Sequence, residues 1–344
     1  MRFPILSLLI IFAAALSIQC RAHAADDDKF IVYEGKDGPG KGRHIVFLSG
    51  DEEYRSEEAL PMLAKILALR HGFKCTVLFA LDKDGFISPN TKDSLPGAAA
   101  LDSADAIVTS LRFRAWPDAE MKHFSDAFLD GKPIIGLRTS THAFNGIKGV
   151  YSKYNNGDGT WKGGFGKQVF GEQWVNHWGA HKSQATRGII EESAKSDPLL
   201  RGVTDIFGDS DVYEAHPPAD VKILVRGQVL KGMKPTDEAL EGKKNDPMQP
   251  VVWTRNYKNE AGNNNKIFCT TMGAATDLQN EGLRRLIVNA VFWGVGLEIP
   301  EKADVTYVDD YKPLFYGFNG YRAGLRPSDH QIGKVLPDGT KPKK

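Results

Sequence analysis

The feature that most constrains the fold is the regular alternation of strand-like and helix-like segments from Gly42 onwards. His44–Leu48 is a continuous apolar run of strand length, and Ser56 can cap a helix that extends to about His71. Such alternation predicts βαβ units and a parallel sheet. Further strands are predicted at 75–79, 105–109 and 133–137, and a second helix between Pro117 and Gly131.

We therefore expect an α/β fold with a flavodoxin-like, doubly wound, mainly parallel sheet and helices on both faces. A stretch rich in Gly, Asn and aromatic residues at 146–179 predicts a long inserted excursion. Strand signals return at 187–191, 221–230, 251–257 and 266–272, and apolar residues recur at helical spacing over 281–293. The α/β domain is expected to span 42–298, and the Pro-, Gly- and aromatic-rich segment 299–344 to form an irregular C-terminal tail.

The N-terminal residues have the pattern of an export signal. Arg2 precedes the apolar run Ile5–Ile18, and Ala22 and Ala24 are the small residues that a signal peptidase reads. The run is shorter than the roughly 20 residues that a membrane-spanning helix needs. Residues 1–24 are expected to be a signal peptide, so the mature protein is predicted to be periplasmic or extracellular, with no membrane attachment after cleavage.

The balance of acidic and basic residues indicates which classes of partner the protein can bind. Lys and Arg number 44 against 43 Asp and Glu, a formal net charge of +1. No global basic field exists to bind a polyanion, so no nucleic-acid partner is expected.

Two cysteines remain after cleavage, Cys75 and Cys269, each inside a strand-like run. Export permits a disulfide, but two isolated cysteines are no disulfide framework. Buried free thiols are the favoured expectation.

The segment Gly136–His142 follows a predicted buried strand directly. A sharp strand-to-helix turn there would have the geometry of a nucleophile elbow, with Arg138 at the projecting position. Arginine cannot be a nucleophile, which argues against glutamine amidotransferase chemistry. The alternative is a structural salt bridge from Arg138 to the acidic loop 51–53.

A ligand pocket is expected at the carboxyl edge of the sheet, where the loops after neighbouring parallel strands part. The residues predicted to line it are Glu53, Arg112, Arg114, Arg138, His142, His181 and Glu214.

Histidines and carboxylates could also converge as a metal site. The candidates are His142, His177, His181 and His216 with Asp211 and Glu214. No compact ligand spacing supports such a site, so hydrogen-bonded histidines are favoured, and neither a metal ligand nor a cofactor is assigned.

Four aromatic residues accompany the polar excursion: Trp161, Phe165, Trp174 and Trp178. Aromatic platforms beside polar side chains suit a carbohydrate, and Trp178 is assigned to substrate binding on this basis. Core packing of the excursion explains two or three of the four equally well.

Several motifs occur in a distinctive order over roughly 44–297. They are the acidic loop after the first strand, Gly136–Phe144, His181–Glu191, Asp197–Gly202, Asp211–Glu214, Pro250–Arg255 and Thr270–Gly273. In this order they resemble the ThuA family, which is named for trehalose utilisation and has a class I glutamine-amidotransferase-like flavodoxin fold. Many relatives have a histidine at the elbow and another after the late glycine. This sequence has Arg138 and Gly273-Ala274-Ala275 there, as in a divergent exported subfamily.

The resemblance implies a small-molecule carbohydrate ligand. One hypothesis is an enzyme that hydrolyses a carbohydrate or an oxidised keto sugar, or cleaves it by elimination. His142 or His181 would be the general base, Glu214 its orienting group or the acid, and Arg138 the partner of a developing oxyanion. The other hypothesis is a non-catalytic sugar-binding or scaffold domain that lacks the ancestral nucleophile.

Overall fold

The strand-like runs assemble into one ten-stranded sheet in the computed structural model, which describes residues 28–337. The predicted signal peptide and residues 338–344 of the tail lie outside the described residues. The strands are β1 Phe30–Tyr33, β2 His44–Gly50, β3 Lys74–Phe79, β4 Ala106–Leu111, β5 Ile134–Leu137, β6 Thr186–Ile190, β7 Phe207–Gly208, β8 Lys222–Val229, β9 Gln249–Lys258 and β10 Asn264–Thr270. The helices are α1 Ser56–His71, α2 Asp118–Leu129 and α3 Glu281–Gly294.

The strand order is β1-β3-β2-β4-β5-β10-β9-β8-β6-β7. The central strands β3, β2, β4, β5 and β10 run parallel to one another. Strand β1 pairs with β3 antiparallel at one edge, and β9, β8, β6 and β7 extend the other edge as antiparallel neighbours. The prediction of a mainly parallel sheet is therefore wrong, and the sheet is mixed. The short link between β9 and β10 explains part of this, because parallel neighbours need a long crossover.

Helices cover both faces of the parallel strands. Ile45 and Phe47 of β2 share a core with α1 and α3, whereas the alternate residues Val46 and Leu48 share a second core with α2. Such alternation is expected of a strand that is buried on both sides. Helix α1 ends at Gly72, whose φ of 80° is the left-handed conformation that suits glycine.

The predicted excursion packs onto α2. It contains short helical turns at Gly149–Tyr154 and Gly166–Phe170. Phe165 contacts Phe124 and Phe128 of α2, and Trp161 contacts Phe128 and Phe165. Two of the four aromatic residues of the excursion thus serve core packing.

The C-terminal tail crosses α1. Within 299–337 its helical structure is the turn Pro327–His330. Lys65 of α1 pairs with Asp309 at 2.6 Å, and Glu58 of α1 pairs with Arg322. The hydroxyl group of Tyr33 in β1 donates to the carbonyl oxygen of His330 at 2.7 Å. The tail is therefore tied both to α1 and to β1, which precedes residue 42, where the α/β domain was expected to begin.

The two cysteines, Cys75 in β3 and Cys269 in β10, are free and buried, as predicted. Burial raises the pKa of both thiols. Across residues 28–337, none of the helices has the length and apolar character that crossing a membrane requires.

Candidate functional site

The predicted elbow is present at Arg138, the first residue after β5. Its φ of 44° lies in the left-handed region that residues with a side chain seldom adopt. The backbone N–H of Arg138 donates to the carbonyl oxygen of Met272 at 3.1 Å, which ties the turn to the end of β10. The side chain does not project into solvent, because it is fully buried.

The Arg138 guanidinium contacts two aromatic rings and lies 4.6 Å from the ring centre of Tyr54 and 3.7 Å from that of Tyr213. Its Nη2 donates to Oδ1 of Asp211 at 2.9 Å, and its Nη1 donates to the carbonyl oxygens of Asp211 and Thr271. The ion pair thus joins Arg138 to Asp211 rather than to the acidic loop 51–53. Arg138 fixes the Asp211 carboxylate in place.

Asp211 holds two imidazole rings at once. Its Oδ2 is 2.7 Å from Nδ1 of His177, and its Oδ1 is 3.0 Å from Nδ1 of His181. Burial alone would raise the pKa of Asp211, but Arg138 and the hydrogen bonds from the two histidines lower that pKa well below its usual range. The Asp211 side chain is fully buried, while those of His177 and His181 are 34% and 25% exposed. The histidines therefore form the accessible part of the cluster.

Glu53 reaches the same cluster from the acidic loop after β2. Its Oε1 is 3.2 Å from Nε2 of His181. The loop is fixed by Asp51, whose carboxylate accepts hydrogen bonds from the backbone N–H groups of Glu53 and Tyr54 and from the hydroxyl group of Thr139. Burial raises the pKa of Glu53, and the neighbouring Asp51 raises it further. An imidazole and a carboxyl group are thus within proton-transfer reach.

The two other predicted arginines are both paired with Glu52. Arg114 is fully buried, lies 2.8 Å from Oε2 of Glu52 and also donates to backbone carbonyl oxygens. Arg112 lies 2.5 Å from Oε1 of Glu52, and its guanidinium carbon is 4.8 Å from the ring centre of Phe113 and 4.9 Å from that of Phe318. Its Nε is 4.0 Å from Oε2 of Glu53, so Arg112 borders the cluster while Arg114 supports the loop.

His142 and Glu214, two of the predicted catalytic residues, are bonded to groups outside the cluster around Asp211. The His142 side chain is buried and hydrogen-bonded to the hydroxyl group of Thr141 at 3.2 Å. Burial, with Arg112 and Arg138 nearby, lowers the pKa of His142 well below its usual value. The carboxylate of Glu214 pairs with the exposed His216 at 2.9 Å. Within residues 28–337 no hydrogen bond or ion pair joins His142 or Glu214 to His181.

Aromatic side chains surround the cluster. The ring of Trp174 lies 5.7 Å from that of His177 and 6.1 Å from that of His142, and Tyr316 from the tail lies 5.5 Å from His181. Trp178 makes a different contact: its indole N–H donates to the carbonyl oxygen of Lys244, whose ammonium group lies over the ring. Trp174, Tyr213 and Tyr316 therefore stand beside the histidines.

The cluster can carry proton transfer, because two imidazoles and a carboxyl group lie around one fixed carboxylate. It could also hold a cation, since ligand atoms of His177, His181 and Asp211 all lie within 4.8 Å of one another. Three of the six residues weighed as metal ligands thus come together. His177 and Asp211 were not assigned to the pocket from the sequence, although Asp211 stands in the recognised motif 211–214.

No protein-family model matches the sequence, and a search of curated proteins gives no match. Among solved structures, the chain is similar to a ThuA-like protein from Parabacteroides merdae, with 14% sequence identity and a TM-score of 0.48, over 76% of this chain and 92% of that one. It is also similar to a ThuA-like protein from Bacteroides uniformis, with 13% identity and a TM-score of 0.45, over 75% of this chain and 93% of that one. At such identities and TM-scores the two similarities say nothing of activity or substrate.

Proposed function

We propose that this chain is an exported enzyme that acts on a carbohydrate or a keto sugar, by elimination or hydrolysis, through the cluster around Asp211. The observation that carries the proposal is a buried carboxylate that orients two partly exposed imidazoles. A carboxylate that fixes an imidazole through Nδ1 is the arrangement by which enzymes prepare histidine as a general base. We also infer that the parallel strands form a flavodoxin-like unit, because along the sheet they follow the order 2-1-3-4-5.

The proposed reaction begins at the C–H bond next to the ketone of the sugar. His177 takes that proton on Nε2, and the bonding electron pair forms an enediolate. The pair then forms a C=C bond while the oxygen substituent on the next carbon leaves. Protonated Glu53 gives its own proton to the departing oxygen, so the products are an unsaturated keto sugar and an alcohol, and the step leaves His177 protonated and Glu53 ionised. Arg138 is a positioning residue, since its contacts are to protein groups and it acts through Asp211.

The surroundings of the cluster favour a sugar ligand. Trp174 is 37% exposed and Phe318 is 53% exposed, and both lie near residues of the cluster or its border. Sugar rings present apolar C–H faces that pack on such aromatic surfaces. Neighbouring carboxylates, imidazoles and the Arg112 guanidinium supply hydrogen-bond partners for hydroxyl groups.

The test is a screen of the purified protein against di- and oligosaccharides and their 3-keto forms, with products followed by mass spectrometry. We expect His177→Gln and His181→Gln to lower kcat/KM by at least about 100-fold, the usual contribution of a positioned acid or base. His123→Gln is the matched control, because His123 lies on α2 and pairs with Asp102. Equal activity of the parent and both cluster variants would overturn the acid–base assignment.

A sugar-binding domain without catalysis is the second candidate, favoured by the buried arginine at the elbow, where a nucleophile would stand. Calorimetric binding of the same sugars without product formation would replace the enzyme proposal with this one.

Export is a separate proposal, supported by the apolar run Ile5–Ile18 and the small residues before Ala25. We expect mass spectrometry of the native protein to show a chain that begins at Ala25. A chain that retains Met1 would contradict it.

A further inference from the structure

The exposed aromatic side chains of the protein lie around the cluster. Among the Phe, Tyr and Trp residues within 28–337, three are exposed, and they are Trp174, Phe315 and Phe318. The Trp174 ring lies beside His177, and Phe315 stacks on Tyr316 with 4.3 Å between the ring centres. The Phe318 ring lies 4.9 Å from the guanidinium carbon of Arg112. Single exposed apolar residues are ordinary, but their concentration at one place indicates a binding surface.

The backbone is strained at the same place. Within the described residues, five residues other than glycine have a positive φ, and they are Arg55, Phe113, Arg138, Lys182 and Asn319. Arg138 is the elbow and Lys182 follows His181, so these two belong to the cluster. Phe113 follows Arg112 and Asn319 follows Phe318, so two others flank the contact between Arg112 and Phe318. Such conformations concentrate at functional sites, which indicates a second binding region beside the cluster.

Phe318 is exposed but held in place from both sides. The preceding residue, Gly317, donates its backbone N–H to the carbonyl oxygen of Glu53 at 2.7 Å, and its own carbonyl oxygen accepts from the guanidinium of Arg55. The side chain of the following residue, Asn319, accepts a hydrogen bond from the Asn90 amide at 3.0 Å. A ring on a segment that is already fixed loses little conformational freedom when a ligand covers it.

The exposed rings lie beside different reacting groups. Trp174 is next to His177, the proposed base, so it would contact the sugar ring whose C–H bond is broken. Phe318 is next to Arg112, whose Nε is 4.0 Å from Oε2 of Glu53, the proposed acid. Because Glu53 protonates the departing oxygen, the group attached to that oxygen lies on the Phe318 side.

The polar groups on this side already bond to one another. Nη1 of Arg112 donates to Oε1 of Glu52, and the ammonium group of Lys92 is 3.6 Å from the same oxygen. The Asn90 amide donates to Asn319. A leaving sugar would bring several hydroxyl groups that each need a partner, whereas an apolar ring needs only apolar surface. The exposed phenylalanine supplies that surface, and the Arg112 guanidinium favours contact with the face of an aromatic ring.

We propose that Phe318 and Arg112 form the subsite for the leaving alcohol and that this alcohol is aromatic. The inference rests on the proposed function and makes the substrate an aryl glycoside of a keto sugar. In the elimination, the bond between the sugar carbon and the phenolic oxygen breaks, and its electron pair goes to the oxygen. Glu53 supplies the proton, so a phenol leaves together with the unsaturated keto sugar. Phe318 is a specificity-determining residue, since its ring contacts the leaving group and no reacting atom.

The experiment measures binding of phenyl, cyclohexyl and methyl glucosides to the mature protein by calorimetry. These probes carry no ketone, so they do not react. We expect the phenyl glucoside to bind the parent about 10-fold more tightly than the methyl glucoside, the size of one good aromatic contact. Phe318→Ala should remove that difference, and Phe318→Tyr should keep it because the ring remains. Ile332→Ala is the matched control, since Ile332 is an exposed apolar residue of the same tail that lies beside β1.

Equal binding of the phenyl and methyl glucosides by the parent, or a phenyl preference that survives in Phe318→Ala, would overturn the proposal. Cyclohexyl glucoside binding as tightly as phenyl glucoside would overturn the aromatic assignment, and tighter binding of cellobiose would indicate a leaving sugar instead. Melting temperatures identify a variant that fails to fold, and the comparison of probes in the parent and in Phe318→Tyr is decisive in that case.

The keto forms of the same glucosides separate this inference from the proposed reaction. A phenyl preference without turnover of phenyl 3-keto-glucoside would contradict only the reaction. Turnover of methyl 3-keto-glucoside without a phenyl preference in binding would contradict only this inference.

Discussion

Replacing Arg138 by methionine tests the buried ion pair directly. Arg138 and Asp211 are both fully buried and lie 2.9 Å apart, so Arg138→Met leaves a buried carboxylate without its guanidinium. Removing one partner of a buried pair costs about 3–5 kcal/mol. We expect the lower end, about 3 kcal/mol, because His177 and His181 still donate to Asp211.

The magnitude can be measured by urea unfolding and by calorimetry. At about 2.1 cal/mol/K per residue, an ordered region of roughly 310 residues should lose about 5 °C in Tm for a loss of 3 kcal/mol. The matched control is the double variant Arg138→Met with Asp211→Asn, in which no uncompensated charge is buried and most of the loss should be recovered. A change below about 0.5 kcal/mol in the single variant, or no recovery in the double variant, would refute the view that Arg138 stabilises Asp211.

Three further predictions concern other parts of the molecule. Burial raises the pKa of Glu57 to about 8 from 4.5, so the folded state holds a proton that the unfolded state releases, and stability should fall as pH rises from 4.5 to 8. Glu57→Gln should flatten this decline and be more stable than the parent at pH 8 by up to about 4 kcal/mol in urea titrations, whereas parallel pH profiles would contradict the assignment. Gly136→Ala should lower the free energy of unfolding by about 1–3 kcal/mol, because its Cβ would stand 2.3 Å from the Phe170 ring, and an unchanged urea midpoint would argue against that contact. Trp174→Ala should weaken sugar binding in calorimetry by about 10-fold with little change in Tm, and undiminished affinity would remove Trp174 from the binding surface.

The helices and strands were predictable where the spacing of apolar residues in the sequence is regular. The helix from Ser56 to His71 has the predicted bounds, and the helix at 281–293 differs from α3 by one residue. Strand direction was harder to predict, because an apolar run has the same pattern in parallel and antiparallel sheets. The five-residue link 259–263 between β9 and β10 carried the missing information, since only antiparallel neighbours can be joined so briefly.

The site was predictable where it depends on the ends of parallel strands. Glu53 after β2 and Arg138 after β5 come together at the carboxyl edge, as the topology requires. Asp211 and Tyr213 both contact Arg138, whereas Glu214 pairs with His216, and no local pattern in the sequence distinguishes the two acidic residues. The place of His177 depends on its bridge to Tyr213, a long-range backbone pairing that no local pattern encodes.

The contacts that the C-terminal tail makes with the site form late in synthesis, because the tail follows every strand of the sheet in the sequence. Gly317 donates its backbone N–H to the carbonyl oxygen of Glu53 at 2.7 Å, and the hydroxyl group of Tyr316 donates to the carbonyl oxygen of Asp209, two residues before Asp211. During synthesis, however, these tail residues leave the ribosome after every strand of the sheet. The loop that carries Glu53 therefore gains the Gly317 contact only after all ten strands have been synthesised. A chain that stopped before the tail would contain the whole sheet but would lack these two contacts beside Glu53 and Asp211.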